Sequence, residues 1–131
     1  MQGIELKARR EALGMSQADL ARVMEVSQST VSSWEVGSRN PRDPEDVDQR
    51  LWELEQGMMG LLDSITQAVE SKSAKLHQST VELRSFSDDK SFWDAEPSLE
   101  GMPAAVHRAA CAHAAVLARE EYDIRAVIVE R

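Results

Sequence analysis

Residues 16–41 read SQADLARVMEVSQSTVSSWEVGSRNP, and this stretch decides the fold of the first half of the chain. Ser16 and Ser27 each stand directly before a run of residues with helical spacing, and serine is a favoured residue at the N-cap of a helix. Asp19 follows Ser16 by three residues, as in a capping box. Gly37 ends the second run as a C-terminal cap. The pattern therefore predicts two short helices joined by a tight turn.

A further short helix is predicted before this stretch, from Ile4 to Leu13, with Gly14 closing it. Helices of this length are unstable in isolation, so each must bury one face against the others. A longer helix is expected to begin at Pro44, since proline is tolerated in the first turn, and to continue to about Ala74. The first half of the chain is thus predicted to be a small helical bundle.

The long predicted helix carries a heptad seam, because its apolar residues alternate steps of four and three. The residues of this seam are Val47, Leu51, Leu54, Met58, Leu61, Ile65 and Ala68. Two glycines, Gly57 and Gly60, permit a break between the halves of the helix. The seam could pack on the bundle, on a second copy of the chain, or on each in a different half.

The composition is that of a folded protein of 131 residues, with 42% hydrophobic and 29% charged residues. This length fits one domain, or one small module with an appendage of similar size. The single cysteine, Cys111, excludes an intramolecular disulfide and a metal site built on several thiolates. The longest run of low charge, residues 109–118, is too short to span a bilayer, and we expect a cytoplasmic protein.

The net charge of −8 is distributed unevenly. Residues 1–44 carry six basic and six acidic side chains, so the whole surplus of negative charge lies from Glu45 onward. Phosphate binding requires clustered Lys and Arg. The neutral first part could therefore present a mildly basic face to a polyanion, while the acidic remainder could not.

The second half is predicted to be a small α+β unit of strand, helix and strand. Alternation over Val81–Phe86 and the apolar run Ile124–Val129 predict the two strands. An alanine-rich helix is expected to open at Pro103 and end near Tyr122, and residues 87–96 are expected to form a turn region. Since two strands alone are marginal in water, we expect pairing with a second subunit.

Within residues 4–56, the chain closely resembles the helix-turn-helix of the Cro/C1 repressor family, also called the Xre type. The matching positions are Ser16, Gln17, Leu20, Ala21, Val26, Ser27, Ser29, Thr30, Val31, Ser32, Trp34, Glu35, Gly37 and Pro41. The resemblance implies a mainly α protein with a lambda-repressor-like DNA-binding bundle over residues 1–56. Residues 57–131 would then be the helix plus small α+β dimerisation or partner domain.

The resemblance also implies roles for individual residues. Those that would face the bases in the major groove are Gln28, Ser29, Ser32 and Ser33, of which glutamine can pair with adenine. Gln17 would contact the DNA backbone at a phosphate, and Arg39, Asn40 and Arg42 would make the family's backbone or minor-groove contacts. Arg10 and Glu35 match a structural ion pair of the family. Glu25 departs from the family, which usually has glycine at the turn, and a left-handed residue there would cost about 1 kcal/mol.

The second half resembles short bacterial and phage proteins of the Xre type, among them the anti-CRISPR-associated (Aca) autoregulators. The resemblance rests on the order of elements, on Phe92 and Trp93, and on residues 106–117. It implies a dimerisation domain; members of this set repress their own operon, and some also bind their transcript. The residues expected at the subunit contact are Phe92, Trp93, Ile124, Val127 and Val129.

Other chemistry is weakly represented in the sequence. His107 and Cys111 share a helical face, but His113 lies on another, so the helix supplies no third metal ligand. We expect ordinary packing there and no metal or cofactor. No grouping of nucleophile, base and acid is visible, and a Gly-rich phosphate loop is absent, so we expect no enzyme.

Two apolar groups have alternative interpretations. Trp34 and Trp52 are expected to pack between the third and fourth helices rather than to stack on nucleic acid, and Trp93 to cap the C-terminal core or a dimer seam. The alanine-rich face is expected in the core, with a subunit contact as the sharper alternative. Its residues are Ala105, Ala109, Ala112 and Val116.

The sequence thus predicts a homodimeric, sequence-specific DNA-binding repressor that regulates its own phage or mobile-element operon through an inverted repeat. Two alternatives stay open. The acidic second half could bind a basic protein partner, as in an antitoxin. The protein could also bind its own messenger RNA.

Overall fold

The computed structural model describes residues 1–130, which are mainly helical and carry one small sheet. The chain divides into two compact units, Met1–Gln56 and Gly57–Arg131. The helices are α1 (Gly3–Ala12), α2 (Gln17–Met24), α3 (Gln28–Val36), α4 (Pro44–Leu76), α5 (Asp89–Ala95) and α6 (Ala104–Tyr122). The strands are β1 (Thr80–Ser85) and β2 (Arg125–Glu130), and a single 3-10 turn covers Pro97–Leu99.

The first unit has the helical bundle expected from the sequence. Ser16 caps α2 in a complete capping box with Asp19, and Ser27 caps α3 by accepting from the backbone N–H of Thr30. Gly37 follows α3 in the left-handed conformation, where glycine meets no steric penalty. The buried apolar residues of the unit are Leu6, Leu13, Met15, Leu20, Ala21, Met24, Val31, Trp34, Val47, Leu51 and Leu54.

Helix α1 meets the end of α3 at very short range. A Cβ atom added at Gly3 would lie 2.2 Å from the carbonyl oxygen of Glu35 and 2.6 Å from that of Trp34. Real Cβ atoms essentially never approach other atoms so closely. The first residue of α1 must therefore lack a side chain for the two helices to touch.

Helix α4 differs from the sequence predictions in three respects. It is continuous through Gly57 and Gly60, so the glycines do not break it. The predicted seam is buried at Val47, Leu51, Leu54 and Met58, but Ala68 is exposed and its neighbour Val69 is buried instead. Trp52, expected to pack between α3 and α4, has 52% of its surface exposed.

In the second unit, β1 and β2 pair with each other in parallel, from Thr80 opposite Arg125 to Ser85 opposite Glu130. Parallel neighbours need a crossover connection, which α5, the 3-10 turn and α6 supply. One buried cluster beneath the sheet joins Val69 of α4, Val81 of β1, Ala118 of α6 and Ile124. A second cluster contains Phe86, Phe92 and Ala104, with Trp93 packed against it.

Three expectations for this unit are wrong. The region 87–96 is not a turn but contains α5, whose N-cap is Asp88. Phe92 and Ile124 are buried within the protomer, so they belong to its core and are not available as subunit contacts. Of the alanine-rich face predicted for the core, Ala105 is buried, but Ala109 is half-buried, and Ala112 and Val116 are exposed. The rest of the buried face of α6 is formed by Ala110, Ala114 and Ala118.

His107, on α6, lies in a small buried polar cluster. Its Nδ1 atom is 3.0 Å from the hydroxyl oxygen of Ser85 and 3.7 Å from the sulfur of Cys111, and its ring lies 4.8 Å from that of Phe92. Burial lowers the pKa of His107, which favours the neutral ring. The nearby charges act in opposite directions, since Glu96 raises the pKa and Arg108 lowers it.

We expect the second unit to lose stability in mild acid because of His107. The imidazole of His107 is protonated more readily in the unfolded chain than in the folded one. The stability that the neutral, buried ring contributes is therefore present above about pH 6.5 and is lost as the pH falls below it. The measurement is urea unfolding between pH 7.5 and 5.0, compared with His107→Gln. A pH dependence of equal steepness in the variant would contradict this origin.

A methyl group at Gly3 should loosen the first unit. Gly3→Ala forces α1 and α3 apart, and we expect a loss on the order of 1–3 kcal/mol in the free energy of unfolding, as for other overpacked sites. Gly60→Ala is the control, because no atom lies within 4 Å of its added Cβ. The control should gain roughly 0.5–1 kcal/mol from helix propensity. Thermal and urea unfolding measure both, and an undiminished Gly3→Ala protein would refute the close contact.

Candidate nucleic-acid interface

Helix α3 has an inner and an outer side. Val31 and Trp34 are buried in the first unit. Gln28 and Ser29 are exposed, and Ser32 and Ser33 are half-buried. The four predicted base-contacting residues therefore share the outer side of one short helix. Their side chains are short and polar, as suits contact with base edges.

A chain of hydroxyl groups organises the start of α3. The Ser27 hydroxyl lies 3.0 Å from that of Ser29 and 2.8 Å from that of Thr30, while it also accepts from the Thr30 backbone. Ser29 is thus engaged with the helix cap. Gln28 has no such partner among the contacts of residues 1–130, and its amide is free to pair with a base.

Arg10 and Glu35 form an ion pair with two parallel hydrogen bonds, of 2.7 and 2.9 Å, from α1 to α3. Arg10 also donates to the carbonyl oxygen of Met15, just before α2. Gln17 is the first residue of α2, and its side-chain Nε2 donates to the Glu35 carboxylate at 3.1 Å. Gln17, predicted to bind a phosphate, is therefore held in place by Glu35.

The Glu35 carboxylate remains ionised in this setting. Burial opposes its ionisation, but the hydrogen bonds from Arg10 and Gln17 outweigh burial and hold its pKa below the ordinary value. Because charge-assisted bidentate pairs are strong and directional, the pair fixes the three helices relative to one another.

The basic side chains of the first unit divide into paired and unpaired sets. Those with acidic partners are Arg9, Arg10, Arg22 and Arg50. Lys7, Arg39 and Arg42 have no acidic partner in the part of the chain that the structure describes. Arg39, Asn40 and Arg42 lie exposed in the loop after α3, where the sequence predicts backbone contacts. Lys7 lies close enough to Glu35 for its charge to lower that group's pKa.

The turn between α2 and α3 is left-handed at Glu25, with φ 58° and ψ 42°. This is the position where the family usually has glycine, and the turn keeps its geometry despite the side chain. The Glu25 carboxylate is exposed and lies 3.8 Å from Arg50. An ion pair so exposed adds little to the stability of the fold, so it offsets little of the backbone strain at Glu25.

Residues 6–45 match the family model described as helix-turn-helix, which spans α1, α2, α3 and the loop leading to α4. Residues 6–45 form a helix-turn-helix domain of the Cro/C1, or Xre, type. Proteins of this family are DNA-binding transcription regulators, and the match supports that function for residues 6–45. No curated protein matches the sequence.

The family match ends at residue 45, so the resemblance of the second half to the Aca autoregulators stays a prediction.

Over residues 1–130, no helix is both long and apolar enough to cross a membrane. The same residues contain no group of three or more His, Cys, Asp or Glu side chains placed to hold a metal ion.

The structure gives two residues of the helix-turn-helix domain a place that the sequence does not predict. Lys7 carries one of the three unpaired positive charges, and its position became visible only with the fold. Thr30 lines a groove beside Arg39 and Arg42, and its hydroxyl bonds to the Ser27 cap. The unpaired charge of Lys7 could not be found from spacing, because α1 carries three basic residues and only contacts across the fold separate them.

Replacing Glu25 by glycine should stabilise the first unit. Glycine adopts the left-handed conformation without a Cβ penalty, and we expect a gain of roughly 0.5–1 kcal/mol in the free energy of unfolding. Glu25→Gln is the matched control, since it removes the charge and keeps the strain. Denaturant unfolding distinguishes the two, and an equal effect of both substitutions would assign the gain to charge instead.

Proposed function

We propose that the protein is a homodimeric repressor that binds an inverted repeat in DNA and regulates its own operon. One observation carries the proposal: the outer side of α3 is largely polar and accessible, and the unpaired cations Arg39 and Arg42 lie exposed in the loop that follows it. Gln28 supplies a side chain able to recognise a base, and Arg39 supplies one able to bind phosphate.

The charge distribution within the first unit favours one orientation on DNA. Arg9 is neutralised by Glu5, Asp48 and Glu55, and the first half of α4 is rich in acidic residues. That side of the bundle would be repelled by phosphate. The α3 side, with Lys7 and the arginines after the helix, would be attracted.

A single copy has few positive charges with which to hold DNA. Three unpaired cations would release about three counterions, which is a small number for a specific DNA-binding protein. Two linked copies double the number of contacts and make the second binding event intramolecular. The modest electrostatics of one protomer therefore support a dimer.

The second unit offers a surface for that dimer. The sheet has two strands, so β2 has an unpaired edge among residues 1–130, and its central residues, Ala126–Val129, carry no charge or proline. Sheet edges of this kind readily pair with another strand. Val127 and Val129 are half-buried and Ile128 is 42% exposed. We place the subunit contact along β2, with Trp93 outside it.

A symmetric dimer would place two α3 helices in successive major grooves, about 34 Å apart, so its operator would be an inverted repeat. Repression would follow from exclusion of the polymerase. Regulation of its own operon, and an origin in a phage or mobile element, are supported by the resemblance of the second half to Aca autoregulators.

A second candidate function is binding of a basic protein partner, as in an antitoxin, and one observation favours it. The whole surplus of eight negative charges lies from Glu45 onward, which would suit a basic protein. A third candidate is binding of the protein's own transcript. A comparison of its affinity for the leader RNA with its affinity for the DNA duplex of the same sequence tests this candidate.

Selection of bound duplexes from a random pool tests the proposal directly. We expect an enriched sequence with twofold symmetry, a footprint of that symmetry in the protein's own upstream region, and a dimer by light scattering. Enrichment of asymmetric sites by a monomer would overturn the homodimer. Stoichiometric capture of a basic protein without any enriched duplex would favour the antitoxin alternative.

The double variant Gln28→Ala, Ser32→Ala should lose specific binding by about tenfold or more, since a bidentate contact to a base contributes roughly 1–3 kcal/mol. Its affinity for random duplexes should stay unchanged. Arg39→Ala is the contrasting variant. It should weaken binding on every sequence and reduce the salt slope of a dimer by about two. A gel-shift series at several salt concentrations measures all of these, and unchanged operator preference in the double variant would refute the assignment.

A further inference from the structure

The outer side of α3 contains one large apolar residue. Val36, in the last turn, is 76% exposed, which is the highest value among the exposed large hydrophobic residues. At about 100° per residue, Val36 lies roughly 80° around the helix from Gln28, between Ser32 and Ser29. The stripe that begins with Gln28 and continues through the serines therefore ends in an apolar group.

Val36 has an apolar neighbour on another helix. Ile4 of α1 is 66% exposed and lines the same shallow groove as Val36, together with Asn40. The close contact of Gly3 with the backbone of Glu35 brings the two side chains to this groove. The apolar group is thus held by the fold and continues the face proposed for DNA.

The charges around this group favour nucleic acid as its occupant. Arg39 directly precedes Asn40 and Arg42 follows it by two residues, both without an acidic partner among residues 1–130, and Lys7 follows Ile4 by about one turn of α1. Within the major groove, one base carries an exposed apolar group, which is the C5 methyl of thymine. Glu35 also lines the groove, but its carboxylate is paired with Arg10. An exposed apolar side chain on the outer side of α3, with unpaired cations on the neighbouring elements, suits contact with that methyl.

We propose that Val36, with Ile4 beside it, contacts thymine methyl groups in each half of the operator and is a specificity-determining residue. This inference rests on the proposed function. Eight residues of helix separate Gln28 from Val36, a rise of about 12 Å, or about three to four base pairs along the groove. The thymine should therefore lie that far from the base pair that Gln28 contacts.

The test uses the full-length protein and an operator obtained by selection with it. Each thymine is replaced in turn by deoxyuridine, which removes only the C5 methyl. We expect affinity to fall about fourfold for each contacted methyl at one position per half-site, from the burial of one methyl-sized group. Binding by Val36→Ala should be insensitive to that replacement.

Two further variants sharpen the result. Val36→Thr keeps the shape of the side chain and introduces a hydroxyl, so it should retain the fold and lose part of the discrimination. Val116→Ala is the matched control, because Val116 is a valine of similar exposure on a helix of the second unit. It should discriminate thymine from deoxyuridine as well as the unaltered protein does.

The outcomes separate the two proposals. An enriched operator whose thymines and deoxyuridines bind equally well, or a Val36→Ala protein that still discriminates, overturns the role of Val36 alone. A change of oligomeric state in Val36→Ala, seen by light scattering without a change in discrimination, assigns the apolar group to a protein contact and also overturns it. Failure of any sequence to enrich overturns the proposed function and this inference with it.

Discussion

The ion pair between Arg10 and Glu35 is the interaction on which the first unit depends. It links α1 to α3 by two hydrogen bonds, and its two members also hold Met15 and Gln17, at the start of α2. Both charged side chains are nearly buried, so neither could tolerate the loss of the other without leaving a desolvated charge. Such a pair permits one arrangement of three helices, and that arrangement presents the outer side of α3.

Ion pairing in the first unit leaves only some of its positive charges free to act on a ligand. Most of its arginines are used within the fold, each in an ion pair with a carboxylate, and the two left unpaired lie in the loop after α3. A strongly acidic protein can in this way keep one face suited to phosphate. Three cations without acidic partners among residues 1–130 give one copy a modest electrostatic attraction for DNA, so the proposed function relies on α3 and on a second copy for the rest of the binding.

Much of the first unit could be predicted from the sequence, because local rules determine it. Serine caps and the glycine after α3 gave its helix boundaries, since capping depends on neighbouring residues alone. The long helix shows where such rules end. The spacing predicts one continuous seam, but Val47 and Val69 are buried in different units. Packing within the second unit decides that Val69 rather than Ala68 is buried there. The buried face of α6 and the exposure of Trp52 depend on tertiary packing, and α5 is too short to leave a clear periodicity.

The parallel pairing of β1 with β2 sets an order on assembly during synthesis. Contacts among α1, α2 and α3 become available once the first forty or so residues have left the ribosome, whereas the partner of β1 emerges only with Arg125–Glu130. Until then Val81 and Val69 lack the cover of Ala118 and Ile124. The first unit can thus form while the second is still exposed, and a stalled ribosome would release a chain that has the first unit but lacks the sheet.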